Sequence, residues 1–170
     1  MTGYRILTTA TLVLCAAGPD AAPPREGSRL PRGWKLAQPV KESGCDRKNS
    51  DLMTAKADFD GDKKEDTARL LSKQNGQGLG VWVWLTSKKK PLLVVEFDHS
   101  DGGHDMGIAA AGPGTYDTAC GRGYWTCKAD EPAKLSLVNS GLDIFTCESA
   151  NQFAWWDSKT NAFMSVWMSD

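Results

Sequence analysis

With 170 residues, 41% hydrophobic and 24% charged, the chain is long enough and apolar enough for one domain with a real core. Its net charge of −1 is unevenly placed: residues 23–90 carry 15 Lys/Arg against 9 Asp/Glu (+6), and residues 91–170 carry 4 against 11 (−7). An acidic half suits a cationic partner and argues against nucleic acid as its ligand, unless the two halves simply neutralise each other across the fold.

Met1–Arg5 carries one positive charge, Ile6–Ala17 is apolar or small, and a Pro-rich stretch follows at Pro19–Pro24. The apolar run is too short to span a bilayer, so residues 1–22 read as a removed export signal that takes the mature chain out of the cytoplasm. Cys15 is either a lipid-anchored cysteine or lost with the signal; the bulky Leu14 before it disfavours lipid attachment. Residues 23–33 read as a flexible tether, and residues 34–170 as a single β domain beginning near Trp34 or Leu36.

Four cysteines follow the signal: Cys45, Cys120, Cys127 and Cys147. An even number in an exported chain suggests disulfides. Cys120 and Cys127 enclose Gly-Arg-Gly-Tyr-Trp-Thr, a natural bridged loop, which leaves Cys45 for Cys147 among the three pairings that four cysteines allow. Closing a loop of about 100 residues stabilises a fold by up to ~4.7 kcal/mol in the chain-entropy model.

Strand signals dominate the domain. Leu52–Phe59, Thr67–Ser72, Leu79–Thr86 and Leu92–Phe97 are separated by an acidic loop, by Asn75–Gly78 and by Lys88–Pro91. The run Val81-Trp82-Val83-Trp84-Leu85 is β-branched and aromatic and fits a buried strand. The stretch His99–Trp125 is Gly-rich and reads mostly as loop. A second series then runs Lys134–Val138, Leu142–Cys147, Gln152–Trp156 and Ala162–Trp167, the last two flanking a turn at Asp157–Asn161. The expected fold is mainly antiparallel β in two four-stranded meanders, either propeller-blade-like or closed into an eight-stranded sheet.

The most informative motif is Asp58-Phe59-Asp60-Gly61-Asp62-Lys63-Lys64-Glu65-Asp66. Ca²⁺ takes six to eight oxygens at about 2.3–2.6 Å. Alternate residues of a tight loop can turn Asp58, Asp60 and Asp62 inward, Lys64 can offer its backbone carbonyl, and Asp66 can close the ring. The bland alternative is a solvated acidic turn. An EF-hand needs Gly at position 6 and Glu at position 12, where this chain has Lys63 and Arg69, and the flanks read as strands.

The bridged loop holds Arg122, Tyr124 and Trp125, residue types enriched at binding hot spots, inside a clamp that lowers the entropy lost on binding. Either they meet a partner, or Tyr124 and Trp125 fold back over a thin core; for Trp125 the second reading is favoured. Asp98, His99, Asp101, His104 and Asp105 suggest a transition-metal site, but the run is Gly-rich and lacks a third His or a Cys, so a polar turn is the better reading. Neither Gly-x-Ser-x-Gly nor His-Glu-x-x-His occurs, and the chain does not read as an enzyme.

The stretch Ala55–Leu71 resembles the calcium loops in FG-GAP propeller blades, where Asp-x-Asp/Asn-Gly-Asp-Gly-x-x-Asp joins two strands; Lys63 stands where that pattern has Gly. Taken with the export signal, Gly121–Trp125 and Phe153–Asp170, the chain resembles periplasmic immunity proteins of bacterial antibacterial secretion systems. That resemblance implies a Ca²⁺-bearing β domain that inhibits a peptidoglycan-cleaving effector. The alternatives are a structural or adhesive envelope domain and, further off, a secreted hydrolase.

Overall fold

The computed structural model describes residues 29–38, 52–98, 106–147 and 149–169. The expected signal, most of the tether, Cys15, Cys45 and the His99–Asp105 stretch lie outside the described residues.

The described chain is mainly antiparallel β. The first sheet contains β1 (Trp34–Leu36), β2 (Thr54–Ala57), β3 (Asp66–Lys73), β4 (Leu79–Trp84) and β5 (Leu92–Phe97). β2 to β5 form the expected meander, and β1 joins the same edge of β3 further along, pairing Trp34 with Lys73. Alternation explains the faces. Ala68 and Leu70 of β3 stand opposite Val83 and Val81 of β4 and point inward, while Arg69, Trp82 and Trp84 point out.

The second sheet has the order β11-β10-β9-β6, built from β6 (Met106–Ala111), β9 (Gly141–Thr146), β10 (Asn151–Asp157) and β11 (Ala162–Ser169). A separate ribbon pairs β7 (Gly114–Asp117) with β8 (Lys134–Leu137). This membership differs from expectation. Lys134–Val138 was to begin the second meander, but it leaves the sheet for the ribbon, and its place beside β9 is taken by Met106–Ala111, within the stretch expected to be loop. The reason lies in Gly107. It pairs with Phe145, and a Cβ built on it would lie 2.7 Å from the Phe145 ring. The glycine is a seat for an aromatic on the neighbouring strand, not a chain breaker.

The two sheets share one core. Ala55, Leu70, Val81 and Val83 from the first meet Met106, Ile108, Leu142 and Ile144 from the second. Each of the Leu, Val, Ile and Met side chains among these contributes about 1.5–3 kcal/mol on full burial. A smaller cluster lies on the other face of the second sheet, where Leu135, Leu137 and Tyr116 of the ribbon cover Phe153, Val166 and Met168. Tyr116 meets Phe153 edge-to-face at 5.0 Å. Among the described residues the strands form no closed barrel, and no helix is long and apolar enough to cross a membrane.

Candidate metal and partner-binding sites

The acidic loop connects β2 to β3, which pair at Ala57 and Asp66. Phe59 is 1% exposed and pins the loop to the shared core. Around that pin the carboxylates fold the loop on itself. Asp58 accepts the backbone N–H groups of Gly61 (2.7 Å) and Lys63 (2.9 Å), Asp60 that of Asp62 (3.2 Å), and Asp62 that of Lys64 (2.8 Å). These are short-range Asx interactions that favour a turn over a strand. Lys63 takes a φ of 65°, the left-handed conformation that glycine adopts freely. A non-glycine residue there costs on the order of 1 kcal/mol.

Asp58, Asp60 and Asp66 bring one carboxylate oxygen each within 4.8 Å of the others, so these three could hold a metal ion. The donor set is all oxygen, which suits a hard divalent cation. Asp66 is the innermost, 1% exposed, and accepts N–H groups from Phe59 at 3.0 Å and Thr86 at 2.8 Å. Burial, reinforced by the charges of Asp60 and Asp62, raises its pKa against those two hydrogen bonds. Asp62 is not part of the triad. Its carboxylate accepts the Thr86 hydroxyl at 2.7 Å, and this bond chiefly lowers its pKa. Lys64 brings its ammonium to 3.8 Å from Asp62. The two carboxylates respond oppositely to pH. The Asp62 contribution to stability is present above the ordinary carboxylate pKa and is lost as pH falls through its lowered value. The Asp66 contribution is full below the ordinary value and is lost as pH rises through its raised one.

Sequence reasoning missed the outer half of this site. Ser87 donates a short hydrogen bond to Asp60, Thr86 serves Asp62 and Asp66, and Lys88 reaches across to Asn161 at 2.6 Å and lies over the Trp156 ring. Strand register brings these residues to the loop. Thr67 pairs with Trp84, so the residues just after β4 must stand beside Asp66. The loop also rests on the β8–β9 turn, where a Cβ at Gly61 would fall 2.5 Å from the Asn139 amide nitrogen.

The second candidate is the clamped loop. Cys120 and Cys127 are disulfide-bonded. Cys147 is also disulfide-bonded, and its expected partner Cys45 lies outside the described residues. Thr118 is fully buried and organises the loop: its hydroxyl donates to Pro132 O (2.7 Å) and accepts from Gly121 N (3.2 Å), while its carbonyl accepts from Arg122 N (2.9 Å). Gly121 packs so tightly on the segment leading into β8 that a Cβ would lie 1.9 Å from Ala133 O. Arg122 and Tyr124 are exposed, Tyr124 at 55%. Trp125 is half-buried and donates its indole N–H to both oxygens of Glu131 at 3.1 Å. Replacing both clamp cysteines with serine should lower stability by about 2.5 kcal/mol from loop-closure entropy alone, read as a shift in the urea midpoint. An unchanged midpoint would mean that the Thr118 hydrogen bonds hold the loop without the bridge.

Beside the clamp runs a groove of about 860 Å³ lined by Trp125, Asp130, Glu131, Trp155, Met164 and Trp167. Trp155, Met164 and Trp167 come from β10 and β11, and no spacing in the sequence announces that they face the clamp.

No protein-family model matches the chain, and no curated protein or solved structure matches it.

Proposed function

We propose that this chain is a periplasmic Ca²⁺-binding immunity protein that inhibits a peptidoglycan-cleaving effector. The observation that carries the reading is the disulfide-closed loop, which presents exposed Arg122 and Tyr124 on a base braced by Trp125–Glu131. A loop already ordered before contact loses little entropy on binding, and Arg and Tyr are suited to entering a polar, sugar-binding cleft. Cell-wall hydrolases of the lysozyme type are commonly cationic, so the acidic half of the chain would steer the encounter.

In this reading Asp58, Asp60 and Asp66 ligate Ca²⁺, Asp62 turns in from Thr86 to join them, and the Lys64 carbonyl completes the protein's share. The ion neutralises the clustered carboxylates and stiffens the β2–β3 connection; it takes no part in chemistry. The residues fit such an ion in donor type and in spacing, and Asp62 is the member that must move.

The test pairs the protein with the cell-wall-cleaving effector encoded beside it. Effector-driven clearing of a peptidoglycan suspension should stop at stoichiometric inhibitor. Arg122→Ala and Tyr124→Ala should each weaken the complex by about 2 kcal/mol, the range of hot-spot residues. Full inhibition by both variants would remove the loop from the interface. No complex with the effector would favour the structural or adhesive envelope role.

A further inference from the structure

We propose that the groove beside the clamp is a strand-addition site, which takes an extended, lysine- or arginine-bearing segment of the partner protein along the free edge of β11. This rests on the inhibitor reading above and names how the partner's backbone is held.

β11 is the outermost strand of the second sheet. The Trp167 carbonyl accepts the Ala119 N–H at 2.9 Å, so Trp167 turns its backbone groups away from β10. Strand alternation turns those of Phe163 and Ser165 the same way. Among the described residues no strand pairs with them on that side. Proteins blunt such edges with Lys, Pro or bulges. The free edge of β5 follows that rule: it is flanked by Lys88, Lys89, Lys90 and Pro91 and carries Glu96. The other margin of the second sheet, β6, packs toward β2 and β3. From Ala162 to Trp167, by contrast, β11 reads Ala-Phe-Met-Ser-Val-Trp, with no charge and no proline, and the only register shift against β10 lies beyond it at Asn151/Gln152.

The walls say what this edge would take. Met164 and Trp167, on alternate faces of β11, are each 45% exposed and line the groove with Trp125, which is fixed by Glu131. The charged groups lining the groove are Asp130, Glu131 and Lys128, two carboxylates against one ammonium, in the half of the chain that carries a net −7. An extended polypeptide matches the edge N–H and C=O groups, its apolar side chains meet the aromatic walls, and its cationic ones meet the carboxylates. A glycan could stack on the tryptophans but would leave the edge backbone groups without strand-like partners. A second copy of this chain would bring the acidic walls together.

The probe is an N-acetylated, C-amidated peptide of alternating lysine and valine, titrated into the ¹⁵N-labelled protein. The expected result is movement of the Phe163 and Ser165 amide signals and slowed exchange at both. Glutamate-for-lysine and backbone N-methylated versions should bind at least about tenfold more weakly, and added salt should weaken the lysine peptide. Ser165→Pro should abolish binding while the rest of the spectrum persists, since its N–H faces away from β10 and proline is tolerated at such edges. If that variant unfolds, Asp130→Lys, at an exposed rim position, should weaken the lysine peptide and spare the fold. Silence at Phe163 and Ser165, equal binding of the glutamate peptide, binding unaffected by Asp130→Lys, chitotetraose moving these amides in place of the peptide, or their occupation through self-association would overturn the proposal. Effector inhibition that survives such a failure would leave the clamped loop as the sole contact. Peptide binding without any effector complex would instead retain the groove and remove the inhibitor reading.

Discussion

Phe59→Ala is expected to destabilise the protein by about 3–5 kcal/mol, the range for emptying an aromatic site in a packed core. Phe59 is 1% exposed and belongs to the cluster that joins the two sheets. It is also flanked by Asp58 and Asp60, and its own N–H donates to Asp66 at 3.0 Å. Alanine keeps that N–H but removes the anchor that fixes its position. The variant should therefore show two losses: a fall of more than about 10 °C in Tm, and weakened binding of any cation held by the loop. Calorimetry reads the first and calcium titration the second. A drop in stability below about 1 kcal/mol would mean that the loop is not anchored through this ring.

Asp66→Ala is the second large effect, and it separates two roles of one side chain. The buried carboxylate accepts two backbone N–H groups, from Phe59 and Thr86. Each donor left without an acceptor costs about 1–3 kcal/mol, so the alanine variant should lose roughly 2–6 kcal/mol even in chelator. Asp66→Asn retains one acceptor oxygen and should fall between alanine and the parent. The parent protein should also gain about 2.7 kcal/mol in calcium at 100 times its dissociation constant, and neither variant should show that full gain. The comparison is made by urea denaturation with calcium and with EGTA. A parent protein equally stable in both would end the calcium reading and leave the backbone role intact. Variants that keep the full calcium response would remove Asp66 from the ligand set.

Much of the fold was legible because burial alternates along its strands. The Val81–Leu85 run, the Leu92–Phe97 strand and the hairpin around Asp157–Asn161 each combine β-branched or aromatic residues with turn chemistry, and each forms, β4 ending at Trp84 rather than Thr86. Met106–Ala111 was not legible. It contains one glycine and three alanines, and its burial is fixed by Phe145 and the facing sheet, which no local pattern records. The acidic loop was visible as a motif because its aspartates are close in sequence. Its partners Thr86 and Ser87 were not, because they arrive through strand pairing. The groove was invisible for the same reason: Trp125 belongs to the clamp and Glu131 to the segment after it, whereas Trp155 and Trp167 belong to the second sheet.

The turn after β4 is fastened by residues far from it along the chain. Thr86 reaches Asp62 over 24 positions, Ser87 reaches Asp60 over 27, and Lys88 reaches Asn161 over 73. Distant contacts form late, because the entropy of bringing the ends together is lost before the contact repays it. The Lys88 fastening must wait for the β10–β11 hairpin that presents Asn161. A chain stopped short of Asn161 would carry the aspartate loop without this strap.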